Sequence, residues 1–186
     1  MKLLLHTCCA PCSIQCVEVL SSEGIAPDLY WYNPNIHPYT EYRSRMESLK
    51  EFAQGKNLTL VMEDDYGLRS FVKAVESDNS EGHPKAARCA FCYRLRLRKA
   101  ARFAAGKGYD AFSTTLLISP YQDHGLLKQI AEEEAANNGV EFLFRDFRPR
   151  FREGQEQARE SGYYMQKYCG CIYSEEERYL AKRGGA

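Results

Sequence analysis

Short continuous apolar runs alternate along this chain with longer segments whose apolar residues follow helical spacing. The runs predict five strands, at residues 2–6, 27–33, 58–62, 110–118 and 140–144. The segments between and after them predict helices, at residues 12–22, 39–54, 68–76, 88–105, 125–137, 154–167 and 174–182. Strands that alternate with helices favour an α/β fold, a single doubly wound, mostly parallel five-stranded sheet with the first strand in its centre.

No shift in composition marks a domain boundary, so residues 1–186 are interpreted as a single α/β domain. After the fifth strand, residues 146–186 are predicted to form a helical cap over the carboxyl edge of the sheet. Residues 77–84 are predicted to form a polar loop. No Gly-x-Gly-x-x-Gly motif and no Gly-x-x-x-x-Gly-Lys-Ser/Thr phosphate loop is present, which argues against a dinucleotide site and against ATP-dependent adenylation.

Composition indicates a soluble globular protein, with 44% hydrophobic residues and a mean hydropathy of −0.52. No apolar run approaches the roughly 18 residues of a membrane span, and the leucines at residues 3–5 are too few for a signal-peptide core. We therefore expect a cytoplasmic protein with no membrane partner, in a compartment that keeps thiols reduced.

The formal net charge is zero, so no overall field attracts nucleic acid. Two segments nevertheless concentrate cations, the first with Arg88, Arg94, Arg96, Arg98, Lys99 and Arg102 and the second with Arg145, Arg148, Arg150 and Arg152. They are interpreted either as solvated faces or as contacts to the phosphates of a polyanionic substrate.

The eight cysteines form three groups: Cys8, Cys9, Cys12 and Cys16; Cys89 and Cys92; Cys169 and Cys171. Grouped cysteines in a reducing compartment indicate metal or redox chemistry. The first group follows the first strand, at the sheet edge where open parallel sheets bind ligands. Pro11 is predicted to be the first residue of the next helix, whose N-terminus favours thiolates. Cys16, one turn beyond Cys12, is predicted to pack in the core.

Cys89 and Cys92 are predicted to open a helix, and a Cys-x-x-Cys pair fits zinc, an iron–sulfur cluster or thioredoxin-like redox chemistry. Together with Cys8 and Cys9 they supply four thiolates, the number that a [4Fe–4S] cluster or a structural zinc requires. Adjacent cysteines in a strand point to opposite faces, so Cys8 and Cys9 must lie in a loop to share one centre. The alternative is a set of buried packing cysteines.

The Cys169-Gly170-Cys171 segment predicts a tight turn, because Gly170 permits backbone conformations that other residues avoid. A disulfide across so small a ring is strained and easily reduced, which is typical of a redox pair. The alternative is that both residues are additional metal ligands.

Five segments carry a resemblance: HTCCAPC at 6–12, NPNIHP at 33–38, CAFCYR at 89–94, STTLLISPYQ at 113–122 and YCGC at 168–171. Together they resemble the cobalamin-independent epoxyqueuosine reductase family over nearly the whole chain. The resemblance implies an oxidoreductase of queuosine biosynthesis, which reduces the epoxide of epoxyqueuosine at the wobble position of tRNA to give queuosine. It also implies a [4Fe–4S] cluster and a fold like that of the adenine-nucleotide α-hydrolases.

By position, the resemblance places the cluster ligands on Cys8, Cys9, Cys89 and Cys92 and the redox-active disulfide on Cys169 and Cys171. It further implies a second, mononuclear iron, for which Cys12 is the nearest free thiol.

Reduction of an epoxide to an alkene consumes two electrons and two protons and releases water. A [4Fe–4S] cluster transfers one electron at a time, so the cysteine pair or a second iron must cooperate with it, supplied by an external electron donor. The leaving oxygen needs a Lewis acid or a proton donor, and Tyr121, Asp123 and His124 follow the fourth strand. His124 is equally interpreted as a residue near a helix N-cap with no catalytic role. His37 is interpreted either as a residue that fixes its loop or as one that contacts the substrate.

Two other functions remain open from the residues. One is a zinc-binding, non-enzymatic module that binds RNA through its arginines. The other is an iron–sulfur tRNA thiolase, which would require the ATP site that the sequence lacks.

Overall fold

The computed structural model describes residues 1–77 and 85–180 and contains one parallel sheet of five strands in the order β3-β2-β1-β4-β5. The strands are β1 (Leu3–Thr7), β2 (Asp28–Trp31), β3 (Leu60–Met62), β4 (Ala111–Thr114) and β5 (Glu141–Phe142). The predicted doubly wound sheet with a central first strand is therefore confirmed.

Seven α-helices accompany the sheet in the described ranges: α1 (Ala10–Ser22), α2 (Tyr39–Gly55), α3 (Leu68–Ser77), α4 (Lys85–Gly106), α5 (His124–Asn138), α6 (Phe151–Glu160) and α7 (Ile172–Leu180). Helix α1 packs against α2, and α4 packs against α5. The two pairs cover opposite faces of the sheet, because the chain moves in opposite directions from β1 and each crossover is right-handed. None of the helices in these ranges is long and apolar enough to cross a membrane.

The strand order reverses between β1 and β4, which are direct neighbours in the sheet. At such a reversal the connecting helices leave toward opposite faces, which opens a crevice at the carboxyl ends of the two strands. Both the first cysteine group and the segment after β4 begin at this crevice.

The predicted strand at residues 110–118 is wrong beyond Thr114, where the chain forms a 3₁₀ turn, Thr115–Ile118. The Thr114 side chain accepts a hydrogen bond from the Leu116 N–H and so begins this turn. Leu116, Leu117 and Ile118 are buried there, and a short apolar run fits a buried turn as well as a buried strand.

The predicted helix at residues 154–167 is also wrong in its bounds, because α6 begins at Phe151 and ends at Glu160. Gly162 follows in the left-handed conformation, with φ of +73°, and no helix continues through it. Helix α6 packs on α1, and the chain then returns to the carboxyl edge without regular structure.

The last predicted helix, residues 174–182, begins earlier, at Ile172, and residues 181–182 lie outside the described ranges. Most of the predicted loop at 77–84 lies outside them as well. The interpretation of residues 1–186 as a single domain with a cap at 146–186 stays a prediction.

Candidate metal and redox site

Cys8, Cys9 and Cys12 form a buried group of three thiols at the carboxyl end of β1, here called the thiol group. All three Sγ atoms lie within 4.8 Å of one another, and those of Cys8 and Cys9 are 3.7 Å apart. Cys9 is the N-cap residue of α1, so both adjacent cysteines lie between strand and helix, as predicted. The helix starts at Ala10, so Pro11 is its second residue rather than its first.

Hydrogen bonding within the thiol group favours ionisation of Cys8 over that of its two neighbours. Hydrogen bonds from the Cys12 and Cys9 thiols hold the pKa of Cys8 well below its usual value. The bond to Cys8 raises the pKa of Cys12, and burial raises that of Cys9. A metal that binds more than one of these sulfurs must therefore displace protons, which makes its affinity pH-dependent.

Cys89 and Cys92 project from one face of α4, since residues three apart on a helix are neighbours. The helix begins at Lys85, so the Cys-x-x-Cys motif lies one turn inside it and does not open it as predicted. Neither cysteine belongs to the thiol group, whose spacing suits a single ion. Burial raises the pKa of Cys92 to about 12.

Arg96 is the cation beside this motif, and it is buried, with 2% of its surface exposed. Its Nη2 donates to Cys92 Sγ at 3.2 Å and its Nε donates to the Cys92 carbonyl at 3.1 Å. No carboxylate lies within 4.0 Å of its guanidinium in residues 1–77 and 85–180. A buried charge without a counter-ion is costly, and thiolates that hold a metal beside Arg96 would offset that cost.

The donor set therefore fits an anionic metal–thiolate group. The positive field of Arg96 reaches Cys92 on one side and Cys8 on the other. Helix α4, which carries Cys89 and Cys92, packs against β1, from whose end Cys8 and Cys9 extend. Four thiolates on an iron–sulfur cluster leave net negative charge, and a buried guanidinium offsets it.

The Cys169–Cys171 turn lies beside α4. Cys171 packs with Cys92 and with the apolar side chains of Phe71 and Val75. Cys169 is exposed, and its sulfur accepts a hydrogen bond of 3.5 Å from Gln122 Nε2. The fold thus brings the third cysteine group next to the second.

The three predicted proton donors lie at the carboxyl end of β4 in different surroundings. Tyr121 is 82% exposed, and its ring meets Phe151 edge-on at 6.0 Å. Asp123 is the N-cap of α5, and its carboxylate accepts from the Leu126 N–H at 3.0 Å. His124 Nε2 bonds the Ser119 carbonyl at 2.8 Å, whereas its buried Nδ1 has no partner among the described residues.

His37 fixes its loop, which was one of its two interpretations. Its Nε2 bonds the Pro34 carbonyl at 3.0 Å, and its Nδ1 accepts from the Ile172 N–H at 3.2 Å. Burial lowers its pKa to about 4, so the ring is neutral near pH 7 and can accept at Nδ1.

Sequence reasoning missed four polar side chains at this site: Arg45, Arg96, Gln122 and Gln166. Arg96 had a signal, because it lies one turn after Cys92 on the same helix face. Gln166 had none, since its Nε2 reaches Cys12 Sγ, 3.3 Å away, across 154 residues of sequence.

Most of the clustered cations are neutralised by carboxylates. Seven of the ten form ion pairs: Arg88, Arg94, Arg98, Lys99, Arg145, Arg148 and Arg150. Arg96 is buried. Of the ten, Arg102 and Arg152 are the exposed members that form no ion pair with a carboxylate in residues 1–77 and 85–180. The two segments are thus largely paired surface.

Comparison with known proteins decides the family. A family model described as epoxyqueuosine reductase QueH matches residues 3–177, a span that includes every cysteine discussed above. The chain belongs to the QueH family. Epoxyqueuosine reductase QueH from Dehalococcoides mccartyi is 40% identical over 96% of this chain and 94% of its own. The proteins of the same name from Acinetobacter baylyi and Thermotoga maritima are 35% and 34% identical, over 80% and 91% of their lengths.

One solved structure shares the fold of this QueH family member. It is described as a predicted subunit of tRNA methyltransferase from Methanocaldococcus jannaschii, and it matches with a TM-score of 0.52 over 99% of this chain and 89% of its own. At 12% sequence identity the likeness concerns the fold alone.

If Cys8, Cys9, Cys89 and Cys92 hold one cluster, substitution of any of the four by alanine should abolish the visible absorbance of the cluster and lower the iron content of the protein. The reason is that each thiolate supplies one of the four ligands. The measurement is the visible spectrum and iron analysis of protein reconstituted anaerobically with iron and sulfide. Cys16→Ala, in the core, is the matched control and should keep the cluster. A fully loaded Cys89→Ala protein would contradict the ligand set.

Arg96→Met should lower the reduction potential of the bound cluster, because removal of a nearby positive charge disfavours the added electron. Arg96→Lys keeps the charge and should shift the potential less. Spectroelectrochemical titration measures it. Arg98→Met, which removes an exposed and paired arginine on the same helix, is the control. Equal reduction potentials in Arg96→Met and Arg98→Met would show that the contact of Arg96 with Cys92 does not affect the potential of the cluster.

Proposed function

We propose that this protein reduces the epoxide of epoxyqueuosine at the wobble position of tRNA, giving queuosine. The observation that carries the proposal is the QueH family match over residues 3–177, which spans all three cysteine groups. Relatives that bear that name match this chain over most of its length. The thiol chemistry of the site supplies what such a reduction needs.

The reaction breaks both C–O bonds of the epoxide and forms a carbon–carbon double bond, and the oxygen leaves as water. It therefore consumes two electrons and two protons. Oxidation of the Cys169/Cys171 dithiol to a disulfide releases two electrons and two protons. An external reductant then restores the dithiol. When bound, a [4Fe–4S] cluster would supply single-electron transfer.

The protein residues have three proposed tasks. Cys8, Cys9, Cys89 and Cys92 hold the cluster, and Arg96 offsets its charge. Cys12, which lies within the thiol group and receives a hydrogen bond from Gln166, is a ligand for a second iron.

Among the three predicted proton donors we favour His124. Its Nε2 is engaged by the Ser119 carbonyl, which leaves the buried Nδ1 to hold or release a proton. The Asp123 carboxylate is engaged in capping α5, and the ring of Tyr121 is largely in solvent.

The tRNA would contact the same side of the protein. Tyr121 presents an exposed ring one residue from Gln122, which bonds Cys169. The ring of Tyr121 contacts that of Phe151, and the next residue, Arg152, is an exposed cation without a carboxylate partner in the described residues. An aromatic ring beside a free cation is the combination that binds single-stranded nucleotides, by stacking and by phosphate contact.

The function is tested by incubating anaerobically reconstituted protein with tRNA that carries epoxyqueuosine and with a reductant, then digesting the tRNA and measuring queuosine by mass spectrometry. Formation of queuosine supports the proposal. A colourless zinc protein that binds tRNA and leaves the epoxide intact would favour the non-enzymatic RNA-binding alternative.

Cys169→Ala/Cys171→Ala should keep the cluster spectrum and lose multiple turnover, because no dithiol remains to pass on two electrons. Visible spectra and product formation over several equivalents of tRNA measure both. Normal turnover by this variant with the same reductant would make the turn structural. Loss of iron would make the two cysteines ligands.

Arg152→Gln should make tRNA binding less dependent on salt. The slope of the logarithm of the binding constant against the logarithm of the salt concentration should become shallower by about 0.7 to 0.9, the effect of one lost phosphate contact. Arg150→Gln is the control, since Arg150 already pairs with Glu153 at 2.7 Å. Tyr121→Leu should weaken binding roughly tenfold through lost stacking. Affinities measured across a series of salt concentrations check both. Identical slopes for wild type and Arg152→Gln would place the tRNA elsewhere.

A further inference from the structure

We propose that Arg45 is a positioning residue for the Cys169/Cys171 pair, an inference that rests on the redox role proposed above. Arg45 lies in the middle of α2 and is buried, with 1% of its surface exposed. Its Nη1 donates to the Cys169 carbonyl and its Nη2 to the Tyr168 carbonyl, each at 2.9 Å. The planar fork of the guanidinium thus grips two successive carbonyls of the turn.

Glu41 orients this fork. It is buried one helical turn before Arg45 and accepts from Arg45 Nε at 2.7 Å. Its second carboxylate oxygen accepts from the Tyr164 hydroxyl, and the Tyr164 N–H donates to Ser48 at 3.1 Å. The guanidinium is therefore fixed on one side by Glu41 and holds the turn with the other.

The loop around His37 binds further groups of the turn. The His37 N–H donates to the Gly170 carbonyl at 2.8 Å, and His37 Nδ1 accepts from Ile172. The Tyr168 hydroxyl donates to the His37 carbonyl at 2.6 Å. Every carbonyl from Tyr168 to Gly170 is thus engaged by Arg45 or His37.

The turn is seated closely as well as bonded. Gly170 is buried and has φ of +146°, in the region that favours glycine. A Cβ there would lie 3.3 Å from Ile36 and 3.4 Å from Arg45 Nη1. The Cys169 side chain nevertheless stays exposed, so the backbone is held while an outside reductant can still reach a sulfur.

A turn held in this way favours closure of the small disulfide ring. Closing a ring costs conformational entropy, and a backbone already fixed by the fold has less of it to lose. Release of the Tyr168 and Cys169 carbonyls should therefore lower the equilibrium constant for forming the Cys169–Cys171 disulfide. Stability alone does not require this arginine, since an apolar pair of similar volume often replaces a buried ion pair without loss.

The test measures this constant without substrate. Reconstituted full-length protein is equilibrated in mixtures of oxidised and reduced dithiothreitol and trapped with iodoacetamide, and the Cys169–Cys171 disulfide is quantified by peptide mass spectrometry. Arg45→Lys keeps the charge and loses the fork, whereas Arg45→Met/Glu41→Gln removes both charges and leaves no unpaired carboxylate. Arg43→Met is the matched control, because Arg43 is exposed on the same helix and, among the described residues, bonds only the side chains of Glu47 and Tyr39.

Both Arg45 variants should lower the constant roughly tenfold, the scale of one charge-assisted hydrogen bond, and Arg43→Met should leave it unchanged. The double variant decides the question if Arg45→Lys fails to fold, as judged by circular dichroism. A constant equal to or above that of the wild type in the folded variants would overturn the role of Arg45 alone. Absence of the disulfide from the wild type in every mixture would overturn the redox role and, with it, this inference.

Discussion

The site depends on the pairing of β1 with β4, because both strands end at the crevice where the thiols lie. Strand β1 is buried along its whole length, so its register admits little change. His6 fixes that register with polar contacts. Its Nδ1 bonds Thr114 Oγ1 at 2.9 Å, and its Nε2 bonds the Tyr32 carbonyl at 3.3 Å. Burial lowers the pKa of His6 to about 4, so a neutral ring joins the ends of three strands.

Buried positive charge is the second constraint on the site. Arg45 and Arg96 are both buried, and Arg96 Nη2 donates to Cys92 Sγ. Only one buried carboxylate, that of Glu41, forms an ion pair with either guanidinium in the described ranges. A metal–thiolate group bound here would supply the remaining compensation, because burial and neighbouring thiols raise the pKa of Cys9, Cys12 and Cys92 as free thiols. This charge balance links the helices α2 and α4 to chemistry at the end of β1.

Much of this was predictable from sequence, and the failures have physical causes. The β1 strand and its central place in the sheet follow from apolar periodicity and from the handedness of crossovers, and the loop position of Cys8 and Cys9 follows from Pro11. The strand prediction is wrong at residues 115–118 because these residues are apolar on account of their burial, and a short buried turn has the same apolar pattern as a buried strand. The grip of Arg45 on the turn joins positions 124 residues apart, and no local pattern encodes such a contact.

The cysteine sulfurs of the site range from exposed to fully buried. Cys169 is exposed, Cys171 and Cys89 are partly buried, and Cys92 is buried on the same face of α4 as Cys89. Cys8, Cys9 and Cys12 are buried beneath the carboxyl edge of the sheet. Among these sulfurs, an outside reductant can therefore readily reach only that of Cys169. The segment that carries it is irregular, and Arg45 and His37 bind its main-chain carbonyls. Polar contacts from α2 thus hold the backbone beside the exposed sulfur of Cys169.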